Sequence, residues 1–163
     1  MQQALTMTPI AVVRSPRRDP TDDYWGGIAS TIELDGERFS FESLAGLDAF
    51  SHIEVVFVFH LYSEDDVETR SRRPRGRKDW PEMGIFAQRN KHRPNRLGVS
   101  RARIIAIEGT SIRTEGLDAI DGTPVLDIKP YFAEFGPRGE VHEAFWVPEL
   151  MRNYFASSFA RPE

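Results

Sequence analysis

The sequence predicts an all-β domain, a barrel or a sandwich, with short peripheral helices including one at the C-terminal end. Three observations carry this. Residues 51–62 (SHIEVVFVFHLY) are dominated by β-branched and aromatic side chains and are apolar on both faces near their centre, as a central strand is. Seven or eight short runs of strand character follow one another, separated by Gly, Pro and Asp turn signals. Helical spacing is confined to residues 148–159, where Leu150, Met151, Tyr154, Phe155 and Phe159 form an apolar stripe behind Pro148.

The elements read in order. Residues 9–15 (PIAVVRS) form a first strand, and the polar stretch 17–27, ending in Gly26 and Gly27, is loop. Residues 28–34 form a strand, Asp35-Gly36 a turn, and residues 37–41 a returning strand. Residues 46–50 make a turn or a single helical turn. After the central strand, residues 63–81 are polar, arginine-rich loop. Residues 84–88 form a short strand, and Pro94 keeps 89–95 irregular. Residues 99–108 and 112–115 form a hairpin around Gly109-Thr110. A last strand covers 123–128 and is stopped by Pro130.

The chain has 163 residues, which predicts one domain over residues 1–163 with a core that needs no staples. Cysteine is absent, so a disulfide scaffold, a thiol nucleophile and a cysteine zinc site are excluded. The longest apolar run, residues 55–59, is too short to span a bilayer. The first ten residues carry no signal pattern, and the expectation is a cytoplasmic protein without membrane partners. The net charge of −4 hides an uneven distribution. From Arg70 to Arg103 the chain holds twelve Lys/Arg and two acids, so this segment is strongly basic and the remainder strongly acidic. Such a segment either meets an anionic partner or pairs with the chain's own acids.

Signatures of nucleotide-binding Rossmann folds, phosphate loops and nucleophile elbows are absent. His52, His60, His92 and His142 show no metal spacing, so no metal is expected. Two segments stand out. Residues 84–100 (GIFAQRNKHRPNRLGVS) place Arg89, Arg93, Asn95 and Gly98 in an irregular stretch that offers guanidinium and backbone N–H groups to an anionic ligand, or else exposes arginines to solvent. Residues 117–131 (LDAIDGTPVLDIKPY) put Asp127, Lys129 and Tyr131 on one face of an extended chain, as a site or as an exposed strand face.

At these segments the chain resembles the TsaA-like (TrmO-like, formerly YaeB-like) family of S-adenosylmethionine-dependent methyltransferases. The matching pieces run from Pro9-Ile10 and Arg14-Ser15-Pro16 through Phe50-Ser51-His52, Phe57-Val58-Phe59-His60, Arg73-Pro74-Arg75, Gly84-Ile85-Phe86-Ala87 and Arg93-Pro94-Asn95. They end in the specific run Asp121-Gly122-Thr123-Pro124-Val125 to Asp127-Ile128-Lys129-Pro130-Tyr131. Gln88, Asn90, Lys91, His92 and Arg96 depart from the family's pattern around the first arginine. TRNA-modifying members usually carry a further C-terminal domain, and this chain reads as a short form without it.

The resemblance implies a single-sheeted β-barrel, a homodimer with S-adenosyl-L-methionine bound near the subunit interface, and methylation of N6 of threonylcarbamoyladenosine beside the tRNA anticodon. It implies a cofactor pocket from Trp25, Gly26 and Gly27; His60 and Leu61; Arg89; Leu97, Gly98 and Val99; and Leu117, Asp118, Ala119 and Ile120. Chemistry adds an adenine slot lined by Phe59, Phe86 and Leu117, with Arg89 on the cofactor carboxylate. The resemblance also implies Asp127, Lys129 and Tyr131 as the catalytic or substrate-facing group, with Asp127 as base and Lys129 tuning it. The basic segment is expected to contact tRNA. The alternatives are a methyltransferase of this fold acting on another acceptor, and a non-catalytic cofactor- or nucleic-acid-binding regulator.

Overall fold

A computed structural model describes residues 4–157. Its strands are β1 (Ala11–Arg14), β2 (Ala29–Leu34), β3 (His52–Val58), β4 (Ser71–Arg72), β5 (Met83–Gly84), β6 (Leu97–Glu108), β7 (Ser111–Glu115) and β8 (Pro124–Pro130), followed by helix α1 (Val147–Met151). Six of them close into an antiparallel barrel in the order β1-β2-β7-β6-β3-β8, with β8 returning to β1. Closure leaves no unpaired sheet edge. β4 and β5 form a separate two-stranded ladder.

Alternation builds the core. Ile53, Val55 and Phe57 of β3 point inward, and Val13, Ile32, Ala102, Ile112 and Val125 meet them from the other strands. Gly109, at φ +60, turns the β6–β7 hairpin in the left-handed region that glycine enters without a steric penalty. The long connection from β3 to β6 is held by its own small cluster. Trp80 packs on Trp146 with ring centroids 6.0 Å apart, and Arg77 lies over Trp80 while donating to Glu149 at 2.8 Å. The buried Gln88 amide donates to the carbonyls of Arg72 (2.9 Å) and Met83 (2.8 Å), tying the β4–β5 ladder to the loop that follows.

Three expectations are corrected. Residues 37–41 form no returning strand: both edges of β2 are taken by β1 and β7, and the backbone N–H groups of Arg38 and Phe39 turn back onto the Asp35 carbonyl. Residues 84–88 hold only the end of β5 and a 3-10 turn over Ile85–Ala87. The C-terminal helix ends at Met151 rather than continuing along residues 148–159. The Tyr154 carbonyl, which a longer helix would use internally, accepts instead from the Trp25 N–H (2.8 Å), and the Asn153 carbonyl accepts from the Tyr24 N–H (2.9 Å) alongside a tight-turn bond from Ala156 (3.2 Å). Phe159 of the expected stripe lies outside the described residues.

Candidate functional site

One end of the barrel, the upper rim, is where β1, β3 and β7 stop and β2, β6 and β8 begin. Its connections interlock. The Ser15 N–H donates to Asp121 Oδ1 at 3.1 Å, and the Asp121 N–H to the Arg17 carbonyl at 2.8 Å. The Phe59 N–H reaches the Arg96 carbonyl at 2.8 Å, and the Gly116 N–H the Ile28 carbonyl at 3.0 Å. The expected cofactor residues from the loops at 25–27, 59–61 and 117–120 are therefore gathered at one place, although more than ninety positions separate the first from the last.

Within this rim the residues differ in environment. Trp25 is 3% exposed, and the Arg17 guanidinium sits 4.0 Å above its ring, a cation–π contact. Leu117 and Ala119 point into the core, whereas Asp118 and Ile120 are half-buried. Asp118 Oδ2 accepts from the Tyr154 hydroxyl at 2.6 Å. Burial, then the charge of Asp118, push the Tyr154 phenol far above its ordinary value, so it stays a donor. Burial holds the His60 imidazole below its ordinary value, against the opposing pull of Asp121, and the ring is neutral at neutral pH. Three buried polar atoms lack a hydrogen-bond partner here: Arg17 Nη1, Trp25 Nε1 and Asp118 Oδ1. Two are donors and one is an acceptor, in a set where nearly all buried polar atoms are ordinarily paired.

The glycines have a specific cause. A Cβ on Gly26 would stand 1.9 Å from the Phe155 carbonyl oxygen, and one on Gly27 would stand 2.5 Å from that of Ser157. What approaches these positions in this chain is the backbone that follows α1. Gly98 similarly faces the Phe57 ring, which lies 2.4 Å from where a Cβ would be.

The expected adenine slot does not form within one chain. Leu117 is fully buried in the core and Phe86 is 79% exposed, while Phe59 lies edge-on to Phe57 at 5.3 Å. Inward alternation claims Leu117, and the 3-10 turn carrying Phe86 faces outward. Leu61 and Val99 are exposed, and Leu97 is half-buried. Arg89 is exposed and donates through Nη2 to the Val99 carbonyl at 2.8 Å.

Asp127 and Lys129 lie on the outer wall of β8, where alternation puts them, and Tyr131 follows directly after the strand's end. Asp127 Oδ2 pairs with Lys129 Nζ, Oδ1 accepts from the Ile128 N–H at 3.0 Å, and the Asp127 hydrogen bond and charge raise the Lys129 pKa. Tyr131 does not join this pair: it stands about 13 Å farther along the strand than Asp127 and packs under Arg101, whose guanidinium is 5.0 Å from its ring centroid. Arg101 also pairs with Glu54 at 3.0 Å, and Glu54 is the cross-strand neighbour of Lys129. Glu54 and Arg101 were not among the expected residues. A lone acid within the apolar run of β3 was the available signal.

The basic segment is largely satisfied by the chain itself. Arg75 pairs with Asp23 (2.7 Å), Arg103 with Glu115 (2.6 Å), and Arg77 with Asp79 and Glu149. Arg73, Arg93 and Arg96 donate to backbone carbonyls. The side chains of Arg70, Arg72 and Lys78 make no hydrogen bond or ion pair among the described residues.

A closed antiparallel barrel of six strands, with buried and incompletely paired donors and acceptors at one rim, defines an all-β barrel domain. Residues 14–136 match the model of the tRNA-methyltransferase O N-terminal domain, and the chain belongs to that family. It is 42% identical over 111 residues to the human tRNA (adenine(37)-N6)-methyltransferase, a match covering 68% of this chain and 25% of that protein. It is 34% identical over 137 residues to a probable S-adenosyl-L-methionine-binding protein of Methanothermobacter thermautotrophicus, covering 83% of this chain and 96% of that one. The crystal structure of TrmO from P. aeruginosa superposes with a TM-score of 0.71 at 27% identity, over 89% of this chain and 62% of that one. The chain thus spans about a quarter of the human relative's length.

Proposed function

We propose that the chain is an S-adenosylmethionine-dependent methyltransferase domain, acting in the cytoplasm as a homodimer, whose acceptor is N6 of threonylcarbamoyladenosine beside the tRNA anticodon. The observation that carries this reading is family membership over residues 14–136 joined to the unpaired rim atoms. Donors on Arg17 and Trp25 with an acceptor on Asp118 fit a ligand bearing both a carboxylate and amine or hydroxyl groups, as this cofactor does.

The cofactor supplies a methyl group on a sulfonium. The chain's part is placement and proton removal. Arg17, Trp25 and Asp118 hold the polar ends of the cofactor at the rim, with Leu61, Leu97 and Val99 as apolar surface beside it. With the cofactor bound, its methyl group would pass to N6, and Asp127 would accept the proton that N6 gives up. Lys129 Nζ pairs with that carboxylate and holds it in place. Asp127 lies about 10 Å down the outer wall from the rim, and a second copy of the chain is assigned the role of bringing one wall to the other rim. Tyr131 and Arg101 continue the same wall farther from the rim.

The internal pairing of the basic segment favours a second reading for the acceptor alone: a smaller substrate than tRNA. Incubation of the purified chain with cofactor and tRNA carrying threonylcarbamoyladenosine, followed by nucleoside mass spectrometry, tests the choice. One added methyl on that nucleoside is expected. An unmodified nucleoside with intact cofactor binding overturns the tRNA assignment.

A further inference from the structure

We propose that Tyr154 is a positioning residue of the cofactor site, contributed by a segment outside the family-matched region, and that it fixes Asp118 so that Oδ1 faces a hydrogen-bond donor of the bound nucleoside cofactor. The inference rests on the cofactor reading above and assigns a role that residues 14–136 do not contain.

The segment after α1 is built into the rim. Tyr24 and Trp25 donate their backbone N–H groups to its carbonyls, and Gly26 and Gly27 lack the side chains that would collide with it. This brings the Tyr154 hydroxyl to 2.6 Å from Asp118 Oδ2. A carboxylate has two acceptor oxygens, and a single donor to one of them sets the plane of the group and leaves the other to accept. Asp118 Oδ1 is buried and has no partner within the chain. The neighbouring unpaired atoms on Arg17 and Trp25 are donors, and neither pairs with it. A neutral phenol is suited to this task, because it donates without adding a charge that would compete with the ligand.

The donor on the cofactor is a ribose hydroxyl or the α-ammonium, which share this chemistry. Binding of S-adenosylhomocysteine and of methylthioadenosine, which keeps the ribose and lacks the ammonium, separates them. Calorimetric titration of the full chain, Tyr154→Phe, Asp118→Asn and the double variant tests the proposal. Tyr154→Phe is expected to weaken S-adenosylhomocysteine binding about tenfold in the parent, the scale of a hydrogen bond to a charged group. In the Asp118→Asn background the same change is expected to add no further loss, which a general structural role would not produce. Tyr154→Phe binding as the parent does, or an equal loss in both backgrounds, overturns the proposal. A parent chain that binds neither probe overturns the cofactor reading itself, a distinct result. Both substitutions conserve side-chain volume, and a melting curve for each variant registers any loss of fold.

Discussion

Gly98 and Phe57 are cross-strand partners in β6 and β3, and the Phe57 ring occupies the space a side chain on Gly98 would need. Phe57 is 2% exposed and is packed within the barrel core. Gly98→Ala should therefore destabilise the barrel by about 1–3 kcal/mol through overpacking, lowering the melting temperature by several degrees. Adding Phe57→Leu to that variant should recover part of the loss. Melting curves check this, and a Gly98→Ala protein as stable as the parent would contradict it.

A Cβ at Gly26 meets backbone rather than a flexible side chain, so Gly26→Ala should lift the segment at 153–157 off the rim. Limited proteolysis should then cut after α1 faster than in the parent, while the barrel core stays protected. Unchanged cleavage would mean the segment is held by something other than its fit to the glycines.

Tyr154 links stability to alkaline pH. Its pKa is raised in the folded state, by burial and by Asp118. The folded chain therefore keeps this proton more tightly than the unfolded chain does. The resulting stabilisation is complete below the ordinary tyrosine value of about 10 and is lost as pH rises above it. Denaturant midpoints should fall above that pH in the parent and fall less in Tyr154→Phe.

Arg70, Arg72 and Lys78 are the cations of the basic segment whose side chains make no hydrogen bond or ion pair among the described residues. Replacing each with Ala should weaken tRNA binding and reduce its salt slope by about one unit per residue. Arg93→Ala should instead loosen the loop around Gln88, whose carbonyl it caps, and lower stability. Binding isotherms across salt concentrations, run beside melting curves, separate the two classes.

Asp127→Asn should lower the methyl-transfer rate by about a hundredfold or more, the usual contribution of a positioned base, with cofactor affinity kept. Single-turnover assays and cofactor titration check this. A rate equal to the parent's would remove Asp127 from proton transfer.

The strands were legible because their cause is local. Alternation in residues 52–58 and the turn at Gly109 announce β3 and the β6–β7 hairpin without reference to the rest of the chain. What eluded the sequence depends on distant partners. The Asp35-Gly36 turn signal suggested a returning strand because nothing nearby shows that both edges of β2 are taken. Helical spacing after Pro148 was cut short by N–H groups more than 120 residues earlier. The clustering of rim residues followed from the motif resemblance, while the Tyr154–Asp118 bond, across 36 positions, had no local signal. Tyr131 was grouped with Asp127 by alternation, which gives a common face and says nothing of the distance along it.

The closure between β1 and β8 is the shortest seam of the barrel, with Ala11 and Val12 paired to Val125 and Pro124. Its two sides are made more than a hundred residues apart. During synthesis, β1 must wait with one flank open until β8 has left the ribosome, and β2 gives it only a temporary hairpin. The barrel is therefore a ring that becomes a ring late. In the finished protein this seam, rather than the long β3–β6 ladder, is where amide exchange should begin.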